Sequence, residues 1–195
     1  MKQKNKHFAV ILPTLMDDVM AVRWFTGFWP LRGLTPVVLK FGWKGIKNED
    51  DFKRSLDKAI AEVDRLAKLG RVSLVGCSAG GSVAINIFSQ RKNIVHRVID
   101  VCGALRPGVA SGKFDTAGYL KALELCGRAM AGLDEEGRKR IMTIRPRFGD
   151  EFVKAEQVSL PGAVNITVPT FEHMLSIMLS LTLFSKSIFR FLKWK

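Results

Sequence analysis

Two hydrophobic periods alternate along this chain. The short apolar run from His7 to Leu12 ends at Pro13, and a second run, rich in valine, extends from Pro36 to Phe41. Both are too short and too uniformly apolar for amphipathic helices, so they predict strands buried on both faces. Between them, Asp17-Asp18 can cap a helix carrying Val19, Met20, Val22, Trp24, Phe25 and Phe28 that ends near Pro30 and Gly33. From Asp51 to Leu69, apolar residues recur at Phe52, Leu56, Ile60, Val63 and Ala67, with charge on the opposite face and Gly70 as the stop. That spacing predicts the best-defined helix of the chain. Further strands are predicted at Val72 to Gly76, Val95 to Cys102, Arg140 to Arg145 and Val164 to Val168, separated by helical stretches near 79–91, 115–131 and 151–158. Strands alternating with helices require crossover connections, which make the sheet parallel and put helices on both sides. The expected architecture is therefore α/β: one doubly wound domain over residues 1–195, with an all-parallel sheet of about six strands. The interval from Gly103 to Lys139 exceeds one crossover, and Gly108, Gly112 and Gly118 make its first part loop-like, so a small flap is expected within 103–139.

Composition narrows the setting. With 195 residues, 47% of them hydrophobic, the chain can bury a two-sided core. Three cysteines, Cys77, Cys102 and Cys126, include no Cys-x-x-Cys pair, which argues against a disulfide framework and a zinc site and suits a reducing, cytoplasmic environment. The charged start at Lys2, Lys4 and Lys6 leads into only a short apolar segment and does not read as a signal peptide. The longest apolar stretch, Met174 to Phe184, is about half of what a bilayer span needs, so a buried helix is expected there. A formal charge of +13 favours an anionic partner, unless lysine serves solubility alone.

The candidate chemistry lies in Gly76-Cys77-Ser78-Ala79-Gly80-Gly81, placed between a predicted strand and a predicted helix. Gly-x-Ser-x-Gly in that context is a nucleophile elbow, a turn so sharp that Gly76 and Gly80 leave no space for side chains. Lacking the Lys-Ser/Thr ending of a P-loop and the spacing of a dinucleotide fingerprint, it is not a phosphate cradle. An activated serine needs a histidine as base and a carboxylate to orient it. In a parallel sheet these groups must gather at the C-terminal edge of the strands. His7 opens the first strand and His96 begins the fourth, both at the wrong edge, which leaves His173, just after the strand Val164 to Val168. By the same rule Asp150 is the first choice of acid, with the adjacent Glu151 and then Asp100 as alternatives. Asp150 could also cap the following helix. Backbone N–H groups of Ala79 and of Thr14 or Leu15 are the expected oxyanion donors.

With Ser78, Asp150 and His173 in that order, the chain resembles the α/β-hydrolase family, most like its small six-stranded members of minimal lipase and cutinase-like size. Three features depart from the usual pattern: Glu172 stands before His173 where glycine is frequent, the loop after the first strand lacks a His-Gly pair, and Gly149 directly precedes Asp150, which leaves the acid open between Asp150 and Glu151. The resemblance implies a serine hydrolase that cleaves a carboxyl ester or thioester without metal or cofactor. Trp24, Phe25, Phe28 and Trp29, or Leu105, Phe114, Tyr119 and Leu120, could line a pocket for an apolar acyl group, although at helical spacing they are more often core. The segment from Lys186 to Lys195 mixes bulky apolar and cationic residues and could lie on an anionic membrane, against the simpler expectation of a helix packed on the sheet. Nucleic-acid binding is disfavoured, because aromatics do not alternate with lysines as a stacking platform requires. A non-catalytic scaffold of the same fold, or a basic protein binding anionic lipid or nucleic acid, is the alternative reading.

Overall fold

The computed structural model describes residues 6–106 and 116–194. Six strands, β1 (Lys6–Leu12), β2 (Thr35–Val38), β3 (Gly70–Cys77), β4 (Val95–Val101), β5 (Ile141–Pro146) and β6 (Val164–Val168), form one sheet in the order β2-β1-β3-β4-β5-β6. Every pairing is parallel. The direction of winding reverses between β1 and β3, and at such a switch point loops diverge to leave a crevice at the C-terminal ends.

Among the described residues eight α-helices complete the layers: α1 (Val19–Thr26), α2 (Glu49–Ala67), α3 (Ala79–Gln90), α4 (Ala117–Ala131), α5 (Glu135–Lys139), α6 (Ala155–Val158), α7 (His173–Leu181) and α8 (Ser185–Lys193). Along β1, Phe8, Val10 and Leu12 join a core with α2, α3 and α4, while Ala9 and Ile11 join a second core with α1, α7 and α8. Both faces of the strand are thus covered, which is why its sequence is an unbroken apolar run.

The differences from the expected boundaries have local causes. β2 stops at Val38 rather than Phe41, because the Asp17 carboxylate accepts the N–H groups of Phe41, Gly42 and Trp43 at 2.8–2.9 Å and pulls them from the sheet. Asp18 alone caps α1, accepting from Ala21 N–H at 3.1 Å. α2 starts two residues early because Asn48 accepts from Asp51 N–H at 2.9 Å. The helix expected over 151–158 shrinks to α6, since Asp150 Oδ1 takes the N–H groups of Phe152 and Val153 and holds that stretch as a turn. The stretch from Met174 to Phe184 does not form one helix. α7 ends at Leu181, where Thr182 hydrogen-bonds back to the Met178 carbonyl at 2.7 Å, and α8 departs at 55°. Within the interval 103–139, α4 is a packed crossover helix: Asn86 of α3 donates to its Ala122 carbonyl at 3.0 Å. Residues 107–115, which include Gly108, Gly112 and Phe114 of the expected flap, lie outside the described residues.

Candidate active site

The C-terminal edge of the sheet is where the backbone is forced into unusual conformations. Positive φ occurs after every strand: Asp17 (51°), Gly42 (86°), Ser78 (53°), Cys102 (57°), Gly149 (113°) and Glu172 (68°). Four of these are not glycine, and strained backbone concentrated at one edge of a fold marks a functional site.

Ser78 has φ 53° and ψ −122° and begins α3 directly from the end of β3. A Cβ on Gly76 would fall into the backbone of Gly80 and Gly81, and one on Gly80 into the Leu12 and Pro13 carbonyls. Both glycines are therefore obligatory for this turn. The Ser78 N–H donates to the Val101 carbonyl at 2.9 Å and its carbonyl accepts from Gly81 N–H at 2.8 Å, which fixes the elbow on both sides.

His173 is the first residue of α7, and its Nε2 lies 2.8 Å from Ser78 Oγ. Its Nδ1 lies 2.8 Å from Asp150 Oδ2, with both side chains about 4% exposed. The Phe152 ring meets the imidazole edge-on at 5.4 Å and limits its rotation. Asp150 spends its two oxygens differently, one on the imidazole and one on the N–H groups of Phe152 and Val153. Burial pushes its carboxyl upward, and the hydrogen bond and charge of His173 together with the two N–H groups outweigh that effect and hold it below the usual carboxylate range. It is the helix-capping competitor and the histidine's partner at once, although what it caps is a turn.

The alternative acids go elsewhere. Glu151 is exposed, and its carboxylate accepts the His173 main-chain N–H at 3.0 and 3.2 Å. Asp100 is fully buried on the α3 side of β4, against Gly81 and Gly103. Among the described residues neither of its oxygens has a full hydrogen bond; burial raises its carboxyl well above the ordinary range, opposed by the nearby Gly103 N–H. It makes no hydrogen bond to the imidazole, whose two nitrogens are taken by Asp150 and Ser78. Glu172 explains its own departure from glycine: at φ 68° its carboxylate accepts from Met174 N–H at 3.0 Å and Leu175 N–H at 2.6 Å, capping the helix that His173 opens. These N–H groups, Leu175 foremost, hold its carboxyl below the usual range.

The expected oxyanion donors occupy the same edge. Ala79 is the first residue of α3, and the loop 13–17 abuts Gly80 through the Leu12 and Pro13 carbonyls. Thr14 closes that loop: its hydroxyl accepts from Met16 N–H at 3.2 Å and its carbonyl from Asp17 N–H at 2.9 Å, which leaves Leu15 at the apex. The residue that sequence reasoning missed is Asp17, whose three backbone hydrogen bonds tie this loop to the one after β2. The signal was present in a second acid beside an adequate cap.

Most residues suggested for an acyl pocket are core. Trp29 is fully buried and donates from Nε1 to the Leu181 carbonyl at 3.0 Å; Leu105 and Tyr119 are buried in the other layer, and Trp24 is 84% exposed. Phe114 lies outside the described residues. Two cavities lie at the C-terminal side of the sheet without Ser78 or His173 in their walls, one of about 460 Å³ lined by Leu12, Leu39, Phe41 and the outer face of α2, the other of about 370 Å³ beside Asp150 with Arg145, Arg147 and Lys154. Among the described residues, no three metal-donor side chains converge.

No protein-family model matches the chain, and no curated protein matches its sequence. Solved structures do. A metagenomic carboxyl esterase, MGS0156, superposes with a TM-score of 0.71 at 13% identity over 97% of this chain and 76% of its own. Est1E from Butyrivibrio proteoclasticus gives 0.64 at 14% identity, covering 97% of this chain and 88% of that one. A monoacylglycerol lipase from Paleococcus ferrophilus also gives 0.64, at 11% identity over 95% of this chain and 93% of its own. With its six parallel strands in the order β2-β1-β3-β4-β5-β6 and these likenesses over nearly the whole chain, the protein has the α/β-hydrolase fold, in a minimal form.

Proposed function

We propose that this protein is a serine hydrolase that cleaves a carboxyl ester or thioester through an acyl-enzyme. The observation that carries the reading is the relay from Ser78 Oγ to His173 Nε2 and from His173 Nδ1 to Asp150, each step 2.8 Å, built on a strained elbow. Ser78 attacks the carbonyl carbon while His173 takes its proton, and Asp150 keeps Nδ1 protonated and stabilises the imidazolium. The oxyanion of the tetrahedral intermediate is met by the Ala79 N–H and by an N–H of the 14–15 loop. Collapse expels the alcohol or thiol, which receives the proton from His173, and water repeats the sequence to release the acid.

The titles of structural neighbours, a carboxyl esterase and a monoacylglycerol lipase among them, support ester chemistry. An apolar acyl group is favoured by the apolar cast of the edge, where Met16, Phe171 and Met174 are exposed near Ser78 and His173. Three free and buried thiols suit a reducing compartment, and we place the protein in the cytoplasm.

Labelling with a fluorophosphonate probe tests the mechanism. The unmodified protein should label, Ser78→Ala should not, and His173→Ala should label at least a hundredfold more slowly, on the order of the loss of a general base. Undiminished labelling of Ser78→Ala would sink the reading.

A further inference from the structure

Charge is divided unequally between the two helical layers. Every ion pair between exposed groups among the described residues lies on the side of α2, α4 and α5 or at the end of α3: Arg54 with Asp51, Arg65 with Glu62, Arg91 with Asp64, Lys121 with Glu49, Arg128 with Glu124, and Lys139 with Glu135. The other layer has acids only at the N-terminal ends of its helices, where Asp18 caps α1 and Glu172 caps α7. No carboxylate occurs in the chain between Asp18 and Glu49, or after Glu172, so α1, the turn at residues 29–34, α7 and α8 contain none.

These segments form one continuous surface. The Trp29 indole reaches the Leu181 carbonyl, and Phe28 and Trp29 both meet Phe189 of α8 edge-on, at 6.0 and 5.4 Å. Outward from that seam, Trp24 is 84% exposed, Leu31 87% and Leu183 72%, with Met20 beside them. Arg23, Arg32, Lys186, Arg190 and Lys193 are exposed on the same surface, and none has an ion-pair partner among the described residues. At its upper end the apolar strip reaches the site rim through Met16, Phe171 and Met174.

We propose that the α1–α7–α8 face is a docking surface for an anionic lipid bilayer. Large exposed apolar groups among unpaired cations match a headgroup layer with acyl chains beneath it, where indole rings settle at the boundary and each basic residue adds attraction. A second copy of this chain is a poor occupant, since two faces whose exposed helix bodies carry cations and no acids repel. Nucleic acid answers the cations but offers nothing to Leu31, Leu183 and Met20. α8 cannot carry the contact alone, because its own apolar residues Ile188, Phe191 and Leu192 are consumed in packing on the sheet. Its role is to supply charge, while α1, α7 and their end turns supply the apolar contact. No single helix among the described residues is long and apolar enough to span a bilayer, and the bent pair α7–α8 has its apolar faces in the core, so the contact is peripheral.

Flotation of the full chain with vesicles tests this independently of the ester chemistry. Binding is expected to vesicles of equal parts phosphatidylcholine and phosphatidylglycerol, with little to phosphatidylcholine alone and a blue shift of tryptophan emission on binding. Lys186→Gln and Arg23→Gln should each weaken binding roughly fivefold, the value of one interfacial cation. Trp24→Ser and Leu183→Ser should weaken it by at least as much, whereas Lys53→Gln on α2 should leave it within about twofold. Circular dichroism and turnover of a short water-soluble ester should not change in these surface variants. Equal recovery from both vesicle types would overturn the proposal, as would a loss in Lys53→Gln equal to that in Lys186→Gln. Sedimentation showing a dimer that Trp24→Ser dissolves would overturn it too, by assigning the face to a second copy.

Discussion

Asp150 and Glu151 are neighbours in sequence with opposite fates, and the difference is a matter of which atoms they reach. Asp150 turns one oxygen to the imidazole and anchors the other on two N–H groups, so its position is fixed from both ends. Glu151 reaches the main chain of His173 and the Glu172 carboxyl, not the imidazole ring, and it is exposed to water. Replacing Asp150 by Asn keeps the shape but presents the wrong hydrogen-bonding group to Nδ1, favouring the tautomer that cannot accept the serine proton; turnover should fall about 10⁴-fold. Glu151→Gln should cost less than about tenfold, because its target is a backbone donor that an amide oxygen can still meet. Steady-state kinetics on a chromogenic short-chain ester would decide, and a larger loss in Glu151→Gln than in Asp150→Asn would reverse the assignment. Sequence alone left the two open, since edge topology locates a loop and not the direction of its side chains. It did isolate Ser78 and His173, because glycine spacing and the position of a histidine relative to a strand are both visible in one dimension.

Among the elements, those whose burial pattern is continuous were legible and those decided by a single polar contact were not. β3, β4 and β5 read correctly because a largely buried run flanked by turn residues has few other uses, while β6, half exposed as Val-Asn-Ile-Thr-Val, shows itself by β-branched alternation. The end of β2, the start of α6 and the break between α7 and α8 are each set by one side chain: Asp17, Asp150 or Thr182 bonding to backbone. Such bonds depend on tertiary placement and leave no periodic trace. α2 lies between these cases. Its apolar stripe was plain, but its first turn is set by Asn48, which accepts from Asp51 N–H while Glu49, Asp50 and Asp51 face the positive end of the helix dipole. Asn48→Ala should therefore destabilise the protein by about 1 kcal/mol in urea unfolding, with fluorophosphonate labelling unchanged in the folded state. A change under a few tenths would mean that the acidic first turn suffices without the cap.

At the scale of the whole molecule, the two edges of the sheet have separate chemistry. The C-terminal edge holds the four non-glycine residues of positive φ and the relay, while the N-terminal edge holds the other two histidines. His7 on β1 bonds to Ser73 of β3 at 2.9 Å and meets His96 of β4 edge-on at 5.8 Å, so three strands are joined there by neutral rings. Burial, and then the charges of His96, Arg71 and Lys193, lower the His7 pKa from 6.5 to about 4; burial and Arg71 lower that of His96 as well. The folded state thus refuses protons that the unfolded chain accepts. Stability is full above the unfolded value of 6.5 and declines as pH falls toward about 4, where His7 is protonated in both states and its part of the loss is complete. Because His7 remains partly in contact with water, its share should be only about 1–2 kcal/mol. Urea unfolding of the unmodified protein at neutral pH and near pH 5 should show that decline, and His7→Gln, which keeps a donor for Ser73 but does not titrate, should flatten it. An equal slope in both proteins would place the acid sensitivity elsewhere, with His96 next to be replaced. The relay at the opposite edge should still form at mildly acidic pH, since Asp150 is held ionised below the usual carboxylate range.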